Sequence, residues 1–178
     1  FHADDSSNKT RRSGHQLDVD GRRPKVLRLG LVIMITMIEY ARKKHHDVRV
    51  ICEIGNHDDD SAIALAMFLD LYYCNEPRVT IDTSPERFHY FRFGQNLLGV
   101  THGDGPKPQD LPQIMACDRK EDWGETDHRY WYTGHVHHQS AKEYRGCLVE
   151  SFRTLAPGDA WARGQGYRSG QDMRCDVM

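Results

Sequence analysis

Three short segments put side chains able to ligate a metal ion on glycine-flanked turns: Gly55-Asn56-His57-Asp58, Thr101-His102-Gly103-Asp104 and Gly134-His135-Val136-His137. Imidazole nitrogens, an amide oxygen and carboxylates make a mixed donor set that suits Mn²⁺, Fe or Zn²⁺ better than Mg²⁺ alone. Each segment read singly has a plainer alternative. Gly-Asn-His-Asp is an ordinary turn sequence, Gly-His-Val-His a surface turn with incidental metal affinity, and His102 a structural histidine at a strand end. Their weight lies in recurrence, because all three follow stretches that read as strands.

The elements that must position them follow from hydrophobic spacing. Residues 47–54 alternate Val48, Val50 and Cys52 with charged positions and predict a strand that ends at Gly55. Asp60 or Ser61 then caps a helix through Tyr73, with Ala62, Leu65, Ala66 and Leu69 on one face. Asn56, His57 and Asp58 thus fall between strand and helix, where open α/β sheets hold their ligands. Upstream, Val26, Leu29, Ile33, Met37 and Ala41 recur at helical spacing and predict a helix over 25–46, with Lys43 and Lys44 in its last turn. Downstream, strands are predicted over 78–81, 87–93, 96–101 and 130–133, a hairpin over 141–155, and a helix over 111–118. The polar residues 6–24 read as a long loop.

In this order and at these strand ends the segments resemble the calcineurin-like metallophosphoesterases, above all their DNA-repair-exonuclease-like and phage-type branch. That family builds a metal pair from five ordered blocks, and the first two, Asp-x-His and Gly-Asp, are missing from this chain. It opens at Phe1, and Phe1-His2-Ala3-Asp4-Asp5 resembles the tail of the second block. The expectation is therefore an N-terminally incomplete part of a longer protein. The resemblance implies an α/β fold, the four-layer αββα sandwich without its first strand, as a single domain over 1–178. It implies that Asn56, through its amide oxygen, His102 and His135 ligate one metal and His137 the other. His57 would be the general acid, Asp58 the group that orients it, and His2 a second donor to the phosphate.

Two divalent ions about 3.5–4 Å apart would bind phosphate oxygens and lower the pKa of a bridging water. Mn²⁺ is the first expectation, with Fe, Zn²⁺ and Mg²⁺ as alternatives. The resemblance implies a phosphodiesterase or nuclease acting on DNA. Two alternatives stay open: a phosphomonoesterase or small-molecule phosphodiesterase, and a non-catalytic module that binds metal or phosphate. Beside the ligand pair, His138 reads as an exposed hairpin histidine or a donor to a ligand, and Asp104 as a loop carboxylate or a partner of His102.

The chain of 178 residues is long enough for one sizeable core. A net charge of −2 argues against nucleic-acid binding through bulk charge. Lys9, Arg11, Arg12, Arg22, Arg23 and Lys25 form a local basic cluster, read either as a solvated loop or as a phosphate-contacting edge. The five cysteines are odd in number and hold no Cys-x-x-Cys, which predicts reduced thiols and a cytoplasmic protein. The apolar run 26–38 is too short to span a bilayer and contains Arg28, so no membrane partner is expected. Trp161 and Arg163 lie in a glycine-containing loop that reads as a base-stacking segment or a structural corner.

Overall fold

The computed structural model describes residues 7–10, 14, 16–17, 22–156, 158 and 163–177. The chain divides into two compact units, Phe1–Glu86 and Arg87–Met178. Both are mixed α/β, and each carries a sheet.

In the first unit, helix α1 spans Arg23–Arg42, strand β1 Val48–Ile51, helix α2 Asp59–Tyr73 and strand β2 Val79–Asp82. Pro24 fits the first turn of α1, where its missing N–H goes unneeded, so the helix begins two residues before the expected Lys25. It also stops four residues earlier than expected, as the Lys43, Lys44 and His45 amides turn back onto the Tyr40 and Ala41 carbonyls. Strands β1 and β2 pair in parallel from Val48↔Val79 to Ile51↔Asp82, joined by α2 as a crossover. The core gathers Ile38, Val50, Ala66, Leu69, Tyr73, Val79 and Ile81, with Leu31, Met34 and Ile35 packed against it.

That core corrects the expected face of α1. Leu29, Ile33 and Met37 are exposed, and the buried stripe runs instead through Leu31, Met34, Ile35 and Ile38. Both stripes have helical spacing, so periodicity alone selects neither. The cap of α2 is also corrected, since Asp58 occupies the N-cap position rather than Asp60 or Ser61. Before α1, the Lys9 and Gln16 backbones form an isolated antiparallel bridge and Leu17 is buried, which gives part of the expected loop a fixed shape.

The second unit is a five-stranded mixed sheet in the order β3-β4-β5-β7-β6. Its strands are β3 His89–Phe93, β4 Asn96–Thr101, β5 His128–Thr133, β6 Ser140–Tyr144 and β7 Cys147–Ser151. Strands β4, β5 and β7 run parallel, with antiparallel β3 and β6 at the edges. Arg145 and Gly146 both have positive φ, as a tight turn between β6 and β7 demands. Helix α3, Leu111–Asp118, matches its expected bounds, and the short helix α4, Lys120–Glu125, is an addition. Trp131 is fully buried with Leu97, Leu111, Met115 and Cys147, and its indole N–H donates to the Leu111 carbonyl at 2.9 Å. Among the described residues no helix is long and apolar enough to cross a membrane.

Candidate metal centre

The carboxyl ends of β4 and β5 lie side by side, with Thr101 and Thr133 as register partners. The two chains leave the sheet together, and the Gly134 N–H donates to the His102 carbonyl at 2.9 Å. This places His102 and His135 face to edge, with ring centroids 5.2 Å apart. His135 Nδ1 and His102 Nε2 are separated by 3.3 Å. That is the length of an imidazole hydrogen bond, and it also matches the about 3.3 Å between two nitrogens each about 2.05 Å from one tetrahedral ion.

The backbone that presents these rings is unusual. His135 has φ 61° and His137 has φ 56°, both in the left-handed region that disfavours residues with a Cβ. The Val136 N–H reaches back to the Gly134 carbonyl at 2.7 Å. With positive φ at the residue between, that bond closes a γ-turn of the rare, strained kind. Strain of this sort persists where surrounding contacts over-determine it, and it clusters at functional sites.

Those contacts are visible. His138 Nδ1 donates to the Val136 carbonyl at 3.0 Å, which fixes the proton on that nitrogen. Ser151 Oγ donates to the His138 carbonyl at 2.8 Å and lies 2.9 Å from Ser140 Oγ. His138 therefore braces the loop, a role that its sequence context did not single out. On the other side, Asp104 is nearly buried and ion-paired with Arg87, tying the His102 turn to the start of the unit. Neither Arg87 nor Ser151 was predicted, because each meets its partner across a turn that spacing does not reveal.

In the first unit the Gly55-Asn56-His57-Asp58 segment forms a tight turn between β1 and α2. Asp58 Oδ1 accepts the Gly55 N–H at 2.9 Å, closing the loop that carries Asn56 and His57. All three side chains are half-buried. Cys52, just before this turn, has its thiol pushed up to about 11, by burial first and by the Asp58 carboxylate second. It stays protonated at neutral pH in the metal-free chain.

The structure thus brings His102 and His135 together and sets His137 in the same loop. Among the described residues no group of three or more His, Cys, Asp or Glu side chains is gathered to hold an ion. His2, expected as a phosphate donor, lies outside the described residues, as do Arg11 and Arg12 of the basic cluster and Trp161 of the tail loop. An open cleft in the second unit is lined by Tyr132, Phe152, Arg153 and Arg174, and none of the predicted site residues takes part in it.

Comparison with protein-family models, curated proteins and solved structures finds no match. The functional reading therefore rests on the motifs and on the geometry of the histidine loop.

Proposed function

We propose that the protein is a metal-dependent phosphoester hydrolase, acting foremost on a phosphodiester such as DNA. The observation that supports this most is the pair of imidazole nitrogens 3.3 Å apart at the carboxyl ends of adjacent parallel strands, one of them on a strained turn. A divalent ion, when bound, supplies charge neutralisation at the phosphate and an activated water.

The chain's own residues do the remaining work. His102 and His135 present one nitrogen each, held at ligand spacing by the Gly134 to His102 backbone bond, while His138 and Ser151 keep the loop from relaxing. Under the same reading Asn56 offers its amide oxygen and His137 serves a second ion. His57 holds a proton on its ring for the leaving oxygen, as a general acid does. The four-layer αββα sandwich and a cytoplasmic location belong to the same proposal, the latter supported by five free thiols.

The test is Mn²⁺ titration by calorimetry together with hydrolysis of chromogenic phosphate esters. His102→Ala and His135→Ala should each lose most Mn²⁺ binding, whereas His57→Ala should keep it and lose turnover. Unchanged Mn²⁺ binding in both of the first two variants would refute the pairing. Hydrolysis of a monoester alone would move the reading to a phosphomonoesterase. The same pair of nitrogens also fits a second reading, a metal- or phosphate-binding module without turnover, since binding one ion asks no more than the histidine loop. Stoichiometric binding with no hydrolysis of either ester would select it.

A further inference from the structure

The two faces of the second unit's sheet carry different side chains. Trp131 and Val149 enter the core beside α3, so Tyr132 and Glu150, the next residues along β5 and β7, point to the opposite side. These two are register partners, and the Phe152 ring stands edge-on to Tyr132 with centroids 5.1 Å apart. With Leu98 and Arg153, the two rings line the open cleft, and Arg174 and Asp176 from the end of the chain close over it.

Residues 167–177 form neither helix nor strand. Their charged contacts fall on alternate positions. Asp172 pairs with Arg153 at 2.7 Å. Arg174 pairs with Glu150 and lays its guanidinium over the Phe152 ring at 5.3 Å. Asp176 lies beside the Tyr132 hydroxyl and pairs with Arg174 at 2.7 Å. Burial first and the Asp176 carboxylate second push that phenol up to about 12. Met173 and Val177 are 59% and 95% exposed. An extended chain presents every second side chain to one side, which is how sheet surfaces read bound peptides.

The charges match in order. The sheet offers a base, an acid and a hydroxyl in Arg153, Glu150 and Tyr132, and the tail answers with an acid, a base and an acid. Glu150 is only 6% exposed, and a carboxylate that deep calls for a cation beside it. The segment that supplies this cation has no regular structure of its own, and partly exposed ion pairs hold a chain loosely. We propose that the cleft is a recognition site for an extended peptide with an acid, an arginine and an acid at alternate positions, and that residues 172–176 are its resident, exchangeable occupant.

Fluorescence anisotropy of a labelled synthetic peptide of residues 168–177, under reducing conditions, tests the site. It is titrated with the full chain and with a full chain carrying Asp172→Ala and Arg174→Ala, whose own tail is unlatched. The unlatched chain should bind the peptide at least about tenfold more tightly than the wild type, because a seated tail leaves few sites open. Adding Glu150→Gln to the unlatched chain should weaken binding at least about tenfold. A peptide with Asp172→Arg and Arg174→Asp keeps the composition and net charge and should be bound as weakly. Where the alanine pair lowers the circular dichroism signal, Asp172→Asn with Arg174→Gln replaces it. Absence of binding to the unlatched chain overturns the proposal. So does equal binding to both chains, which would show that the tail does not occupy the cleft, or equal binding of the two peptides, which would show attraction by charge without recognition of order.

Discussion

His135 shows how much a single residue can carry. Its φ of 61° and the Val136 to Gly134 hydrogen bond hold it in a conformation that costs a residue with a Cβ about 1–2 kcal/mol and a glycine little. A turn selected for stability alone would carry glycine there. We expect metal-free His135→Gly to be more stable than His135→Ala by about 1 kcal/mol in urea unfolding. Both variants should lose the ion. Equal stability of the two would mean that the turn stores no strain at this position. The cysteines report on the residue scale in another way. Burial pushes the Cys147 thiol up to about 12 and the Cys52 thiol up to about 11, while Cys74, Cys117 and Cys175 are exposed. Three thiols should therefore react quickly with a chromogenic disulfide at pH 8 and two slowly. The sign for stability follows from the same shifts. Below the ordinary thiol value of 9.0 neither folded nor unfolded chain ionises, and above it the unfolded chain loses its protons first. Stability should hold up to about pH 9 and fall as pH rises toward the folded values, and a melting temperature that is flat over that window would contradict the burial of these two groups.

At the scale of elements, what could be read from sequence divides along a physical line. Strand β4 and helix α3 begin and end where the sequence placed them, because Gly94-Gln95 marks the hairpin turn before Asn96 and Pro108 with Pro112 marks the helix start. Two of the glycine turns follow directly on strand ends as expected, after Thr101 and Thr133, whereas β1 ends at Ile51, three residues short of the Ile54 expected to lead into the Gly55 turn. The face of α1 was not legible, because Leu29 and Leu31 begin two stripes of equal apolar character and only the partner helix decides between them. The convergence of His102 on His135 was expected from the family resemblance alone, and spacing does not show it. It depends on the parallel pairing of β4 with β5, which brings together residues 33 apart in the chain. The same sheet makes a sharp prediction at Gly99. A Cβ there would lie 2.7 Å from the Trp131 ring and 2.8 Å from the Met115 methyl, against an indole that is fully buried and hydrogen-bonded. Gly99→Ala should cost about 1–3 kcal/mol in chemical denaturation, as overpacking does. Gly124 in α4 meets open space, so Gly124→Ala should instead stabilise by about 0.5–1 kcal/mol through helix propensity. Equal effects at the two sites would show that the Trp131 packing yields more than its contacts suggest.

On the scale of the whole molecule, charge limits how a nucleic acid could be held. Twenty-four basic and twenty-six acidic side chains leave a net charge of −2, and many of the arginines are already committed. Arg42 is paired with Glu39 and Glu76, Arg92 with Asp122 and Glu125, Arg153 with Asp172, and Arg174 with Glu150 and Asp176. Guanidinium groups held this way make poor phosphate contacts, because engaging a phosphate would mean giving up a carboxylate. If the substrate is a phosphodiester such as DNA, affinity must come chiefly from metal-held phosphate at the histidine loop and from a few uncommitted cations. The consequence is measurable as salt dependence. Each phosphate neutralised contributes about −0.7 to −0.9 to the slope of log K against log salt concentration, and proteins that bind through bulk charge make about 6–10 such contacts. Anisotropy of a labelled oligonucleotide, titrated with protein in Mn²⁺ at several salt concentrations, should give a slope no steeper than about −2 to −3. Chelating the Mn²⁺ should remove most of the binding at every salt concentration. A slope near −6 with binding that survives the chelator would instead locate the nucleic-acid contact on a basic surface away from His102 and His135, and would separate DNA affinity from the metal chemistry altogether.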